Sequence, residues 1–299
     1  MRFPIIPATK FWFLISGVTL AVGLYFVFAP GFGLHLGIDF SGGSKMYLPF
    51  SETITKTEFD EIFREALGNE KGEVVVESGD KAIIVRSRDL SNQEIEQLKV
   101  KLKEKGKTLE DDAVRIETVG PTQGKVQTER GFLAVGITML AIIMFIALAF
   151  RRVPEGLSSW KFGVSAVVAL IHDVFIVIGA FALLGKYYGV EVDTLFITAL
   201  LTVMGFSVHD TIVVFDRLRE NLKGTSLKNL EETAEKAVWQ TMARSINTSG
   251  STLIVLLTLF FSQIEGIHFF ILALVLGIIV GTYSSIFIAT PMLVAWSKK

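Results

Sequence analysis

Thr194 to Asn221 reads TLFITALLTVMGFSVHDTIVVFDRLREN. Thr194–Phe215 is an apolar run long enough for a helix to cross ~30 Å of hydrocarbon, which takes about 20 residues. His209 and Asp210 sit inside that run, and Asp216, Arg217, Arg219 and Glu220 close it. A carboxylic acid inside a span costs about 2.5–3.5 kcal/mol on insertion scales and stands where a partner or a water path offsets that cost. The stretch predicts a polytopic helical membrane protein, and it raises the question of what Asp210 is for.

Composition agrees. The 299 residues are 51% hydrophobic, with a mean hydropathy of +0.51, more apolar than a soluble chain of this length needs. A net charge of −1 offers no basic field for nucleic acid. The chain has no cysteine, which removes disulfides, thiolate metal sites and Cys nucleophiles. The histidines at 35, 172, 209 and 268 have no metal-ligand spacing, and no nucleotide motif or nucleophile–base pair is present, so neither an enzyme, a cofactor nor a metal is expected.

Outward from the central stretch, five more apolar runs predict spans: 11–29, 131–150, 162–185, 246–264 and 267–296. The expected organisation is a cytoplasmic N-terminus and first span over 1–30, an extracytoplasmic insert over 31–128, and a five-helix membrane region over 129–299. Within that region 216–245 is a polar cytoplasmic segment. Leu227, Leu230, Ala234, Ala237 and Val238 give it one apolar helical face, for partners, lipid headgroups or a plain connector lying on the membrane. Basic residues set the orientation. Loop 151–161 holds Arg151, Arg152 and Lys161, and 216–245 holds six Lys and Arg, whereas 185–193 has only Lys186 and 265–266 none. Both termini are expected inside.

The insert alternates strand and helix patterns. Lys45–Phe50 is strand-like. Thr55 with Glu58, and Ser91 with Glu94, are spaced as capping boxes, opening helices that run to about Leu67 and to about Lys105, where Gly106 suits the end. Val74–Val76 and Ala82–Val85 are β-branched runs joined at Gly79-Asp80, and 113–119 is a last strand. The order β-α-β-β-α-β predicts an α+β, ferredoxin-like domain between the first two spans. The Gly-rich stretch 37–43 is a tight backbone turn that leads into it.

Three spans carry ionisable residues: Asp173, Asp210 and Arg244. Asp210 lies about 9 Å of helix rise before Asp216, inside the cytoplasmic half. Arg244, Thr248 and Thr252 share a face at helical spacing, with Asn247 and Ser251 beside them. An Asp on one helix and an Arg on another invite a pair, and neutralising the Asp would change how the helices pack. The plain alternatives are polar residues that glue helices together and an Arg that snorkels to the interface. His209 points about 100° away from Asp210, and His172 fits packing better than proton carriage.

Four stretches resemble one family. Leu36-Gly37-Ile38-Asp39-Phe40-Ser41-Gly42-Gly43 resembles the Gly-Gly opening motif of SecF, in the SecD/SecF family of protein-export membrane subunits. Ala169–Asp173, Gly205–Asn221 and Arg244–Ser249 are similar to the family's third-, fourth- and fifth-span signatures. The resemblance implies a SecF-like subunit that joins SecD, acts at the SecYEG channel after SecA-driven insertion, and uses the proton-motive force on a translocating polypeptide. It implies a bacterial or archaeal cytoplasmic membrane. Asp210 and Arg244 stand at the family's intramembrane Asp and Arg, with Asp173 and His209 as further candidates for proton coupling. Many members carry Asn where this chain has His209, a side chain that also titrates near neutral pH. The alternative is a proton-coupled small-molecule transporter of the resistance-nodulation-division type, whose architecture is related.

Overall fold

The computed structural model describes residues 4–68, 73–76, 81–110, 113–151, 158–223, 229–262, 264 and 266–297. The Gly79-Asp80 turn, Arg152, Leu227, Lys228 and Lys298-Lys299 lie outside these residues. The chain divides into two compact units, one made of Met1–His35 with Phe132–Lys299, the other of Leu36–Gly131.

The smaller unit opens with one helical turn, α2 (Ile38–Ser41), after the first long helix α1 (Thr9–Phe28). There follow β1 (Gly43–Pro49), α3 (Lys56–Leu67), β2 (Glu73–Val76), β3 (Ala82–Ser87), α4 (Asn92–Glu104) and β4 (Arg115–Val119). The sheet order is β2-β3-β1-β4, with every neighbouring pair antiparallel. Strand periodicity builds the core. Met46, Leu48, Ile83 and Val85 point to one face and bury against Phe59, Ile62 and Phe63 of α3 and Ile95, Leu98 and Leu102 of α4.

The expected caps differ from one another. Ser91 and Glu94 form the full box. At α3 Thr55 accepts from Glu58 N, but the Glu58 carboxylate pairs with Lys107 at 3.0 Å. Arg88 adds a charge-assisted bond to Glu94, and with the Ser91 donors it pulls the Glu94 carboxyl down to about 2.

The larger unit holds α1 together with the part of α5 (Pro121–Ala149) from Phe132 on, α6 (Ser159–Tyr188), α7 (Thr194–Asn221), α8 (Leu230–Phe261), α9 (His268–Ser284) and α10 (Thr290–Ser297), with a π-helical turn at Ser285–Ala289. Pro291 explains where that turn falls. Its ring crowds the carbonyl four residues back, which belongs to Phe287 inside the widened stretch. Among the described residues, five helices are long and apolar enough to cross a membrane: α1, α5, α6, α7 and the run His268–Ser297.

The polar segment from Leu230 onward and the expected fifth span prove to be one unbroken helix, α8, of 32 residues. It stays outside the set of five because its first half is charged and Arg244–Thr252 is rich in hydroxyls and amides. No proline interrupts Leu230–Phe261, so the change in polarity at Ile246 does not break the backbone. The apolar face of its first half is buried within its own chain: Leu230, Ala234 and Ala237 pack with Phe215, Leu218 and Leu222. Glu235, on the same half, accepts the backbone N–H of Ile6 at 2.7 Å and of Ile5 at 3.1 Å, and the Trp239 Nε1–H at 2.8 Å.

Candidate functional site

Most of the buried polar side chains of the larger unit lie on α6, α7, α8 and α9. Asp193 caps α7 by accepting from Phe196 N at 2.8 Å, which sets the phase of the helix. That phase buries Met204, Ser207, Val208, Asp210 and Thr211 and leaves His209 exposed. Asp210 is 2% exposed. Its neighbours are the hydroxyls of Ser245 and Ser249 on α8 and Thr282 on α9. Ser249 and Thr282 bond one another at 2.5 Å. Among the described residues, Asp210 Oδ2 and Ser245 Oγ are buried without a hydrogen-bond partner.

Asp173 forms a second centre. It is 0% exposed. Ser207 Oγ and Ser284 Oγ donate to its Oδ2 at 2.5 and 2.6 Å, and His172 Nδ1 stands 2.9 Å from its Oδ1. With the proton on Nδ1, His172 Nε2 is left as a buried, unpartnered acceptor. Tyr283 stacks on the His172 ring and hydrogen-bonds Ser16 of α1 at 3.0 Å. Close backbone approach holds α7 to α9 here: a Cβ added at Gly281 would stand 2.9 Å from Ser207 Cβ.

The expected candidates therefore separate. Asp210 and Asp173 have different neighbours: Ser245, Ser249 and Thr282 for the first, His172, Ser207 and Ser284 for the second. Arg244 is exposed, and no ion pair joins it to Asp210. Thr248 is exposed with it. The face of α8 turned to Asp210 is one residue on, where Thr241, Ser245 and Ser249 are buried at i, i+4 and i+8. Ser245, Ser249, Thr282, Ser207 and Ser284 were not singled out by the sequence pattern for this site. Ser245 and Ser249 carry the same four-residue spacing as Arg244 and Thr248, so spacing alone does not choose between the faces.

In the smaller unit Gly37 caps α2, and its carbonyl accepts from Phe40 N and Ser41 N. Asp39 lies in the first turn of α2. Gly42 and Gly43 have φ of 71° and 120°, a region that favours glycine. A Cβ on Gly43 would meet Ser87 O at 2.5 Å, and one on Gly124 would meet Phe40 O at 2.9 Å. The motif is thus a backbone crossing with no room for side chains. Among the described residues, no group of acids and histidines is placed to hold a metal ion.

Residues 97–299 match the family described as protein export membrane protein SecD/SecF, C-terminal, and residues 27–54 match the SecD/SecF GG motif. The protein translocase subunit SecF of Thermobaculum terrenum is 36% identical over 297 residues, covering 96% of this chain and 92% of that one. The SecF subunit of Anaerolinea thermophila is 38% identical over 295 residues, with coverage of 96% and 92%. The crystal structure of SecDF, a translocon-associated membrane protein from Thermus thermophilus, superposes with a TM-score of 0.83 at 30% identity. All of this chain is covered, and it spans 39% of the length of that SecDF chain.

Proposed function

The chain belongs to the SecD/SecF family of protein export membrane proteins, and from that premise we propose that it is the SecF-like half of a SecD–SecF assembly that drives protein translocation with the proton-motive force. It works in this role at the SecYEG channel, on a polypeptide already inserted by SecA. It lies in the cytoplasmic membrane with both termini inside. The apolar second half of α8 serves as a sixth span, and the outer unit is ferredoxin-like, a reading supported by its β-α-β-β-α-β order and β2-β3-β1-β4 sheet.

The observation that carries the mechanism is the Asp210 carboxyl. It is buried in a span, has an oxygen without a hydrogen-bond partner, and is ringed by hydroxyls of two other helices. Gain or loss of one proton there changes the charge that α8 and α9 must accommodate, so it biases how the three helices pack. Arg244 and His209 work from the exposed faces of α8 and α7. Those faces carry Thr202, His209, Arg244, Asn247, Thr248 and Ser251. Polar side chains exposed along a span are costly in lipid, which supports a SecD subunit covering them. Arg244 then answers Asp210 indirectly, through the packing of α8 or from the partner's side. Asp173 is sealed within the same coupling region.

The test is proton-dependent export in membrane vesicles that hold the chain with SecD. Asp210→Asn is expected to leave assembly intact and abolish the gain in export that the proton gradient brings. Full stimulation by that variant sinks the assignment, and gradient-driven efflux of small molecules without SecD points to a transporter instead.

A further inference from the structure

Three consecutive residues at the end of α9 reach four other helices. Thr282 bonds Ser249 of α8 and stands beside Asp210 of α7. Tyr283 bonds Ser16 of α1 and stacks on His172 of α6. Ser284 donates to Asp173 of α6 at 2.6 Å. The π turn at Ser285–Ala289 follows at once, and such turns are local irregularities often found at functional sites.

Asp173 grips both helices that build the Asp210 site. Through Ser207 it holds α7 one turn before Asp210, and through Ser284 it holds α9 two residues after Thr282. The Asp210 side is less tightly made. Its Oδ2 and Ser245 Oγ lack partners, and the Thr282 hydroxyl is engaged with Ser249. The Thr282 hydroxyl can accept from Ser249 and donate to Asp210 at once, so a small turn of the α9 end would change how closely it approaches the carboxyl. A hydroxyl donated to a carboxyl favours its charged form over its protonated form. The setting of the α9 end therefore tunes how firmly Asp210 holds a proton.

We propose that Asp173 is a positioning residue for Asp210, acting through Ser207 and Ser284 to fix the Thr282–Ser284 segment. The proposal rests on Asp210 being the ion-coupling acid. The titratable groups near the two carboxyls are His172, with Tyr283 stacked behind it, against Asp173, and His209, adjacent in sequence to Asp210 but turned to the exposed face of α7. Among the described residues, the side chains of α7, α8 and α9 that hydrogen-bond the carboxyls or stand beside them are the hydroxyls of Ser207, Ser245, Ser249, Thr282 and Ser284.

Infrared titration of the full chain in lipid nanodiscs reads Asp210 directly, as the carboxyl band missing in Asp210→Asn. Asp173→Asn and Ser284→Ala are each expected to move the midpoint of that band by about half a pH unit or more. The double variant moves it no further than Asp173→Asn alone. Ser284→Ala removes one hydroxyl and leaves Asp173 in place, so it decides the matter if Asp173→Asn does not fold. A midpoint unmoved in a folded variant overturns the proposal and leaves Asp173 a packing residue. A band that does not titrate overturns both the proposal and the role of Asp210. Undiminished export by Asp210→Asn, with the infrared shift present, removes only the role in export.

Discussion

The hydroxyls of Ser249 on α8 and Thr282 on α9 stand 2.5 Å apart, beside a carboxyl of Asp210 that has an oxygen without a partner. The bond joins two helices at the depth of a buried acid. Neither hydroxyl is needed for packing volume, so each can be removed with little disturbance. Side-chain hydrogen bonds between membrane helices contribute about 0.6 kcal/mol on average. A double-mutant cycle of Ser249→Ala and Thr282→Val is expected to give a coupling energy of that order, measured by unfolding in detergent or bilayer. A coupling of zero would mean that the bond contributes nothing to holding α8 against α9.

Arg244 separates stability from function. It is exposed and, among the described residues, no ion pair joins it. Arg244→Lys keeps the charge and loses the planar five-donor fork. The stability of the chain alone is expected to stay within about 0.5 kcal/mol, as for surface changes in general. Proton-driven export with SecD present is expected to fall. Unchanged export would make Arg244 an interfacial anchor.

Gly281 is where α9 comes closest to Ser207. A methyl group there, 2.9 Å from Ser207 Cβ, must push the helices apart. Overpacking of this kind costs about 1–3 kcal/mol, so Gly281→Ala is expected to destabilise the chain by that amount and loosen the Ser207–Asp173 bond. Gly17 of α1 is the control, because a Cβ there meets nothing within 4 Å. Gly17→Ala is expected to be neutral or to stabilise by up to about 1 kcal/mol through helix propensity. Thermal unfolding of the two variants side by side checks both statements.

Glu94 gives the smaller unit an acid limit. Arg88 and Ser91 hold its carboxyl down to about 2, against an ordinary value of 4.5. A carboxyl lowered on folding contributes stability that is complete above its unfolded value and is lost as pH falls through the folded one. Protection of α4 should therefore be level from neutral pH to about 4.5 and decline from there towards about 2. Hydrogen-exchange mass spectrometry of the α4 peptides, corrected for intrinsic rates, follows this. Glu94→Gln should remove the decline, and a variant that keeps it would place the acid-sensitive group elsewhere.

Local rules made the smaller unit legible. A strand-like run marked β1, a β-branched run marked β3, and Ser91 with Glu94 marked the start of α4, because those signals act within a few residues. Span length and hydropathy marked α1, α5, α6 and α7 for the same reason. Two features were not legible. The joining of the polar segment to the fifth span needed backbone continuity, which hydropathy does not report. The face of α8 turned to Asp210 was hidden because Arg244, Ser245, Asn247, Thr248, Ser249 and Ser251 place polar groups all round the helix. Only burial against α7 and α9 distinguishes Ser245 and Ser249 from Arg244 and Thr248. Ser207 and Ser284 reach Asp173 from helices far apart in sequence, so no spacing within one helix announces them.

The length of α8 has a mechanical consequence. Thirty-two residues make a rod about 48 Å long, against ~30 Å of hydrocarbon. A rod that long overshoots the hydrocarbon layer unless strongly tilted, and its first half is clamped to the start of the chain by the Glu235 carboxylate. Ser245 and Ser249 sit further along the same rod, with no hinge between. A turn imposed at the Glu235 end is thus carried along one continuous helix to the residues beside Asp210, and a displacement at Asp210 acts as leverage on Ile5 and Ile6.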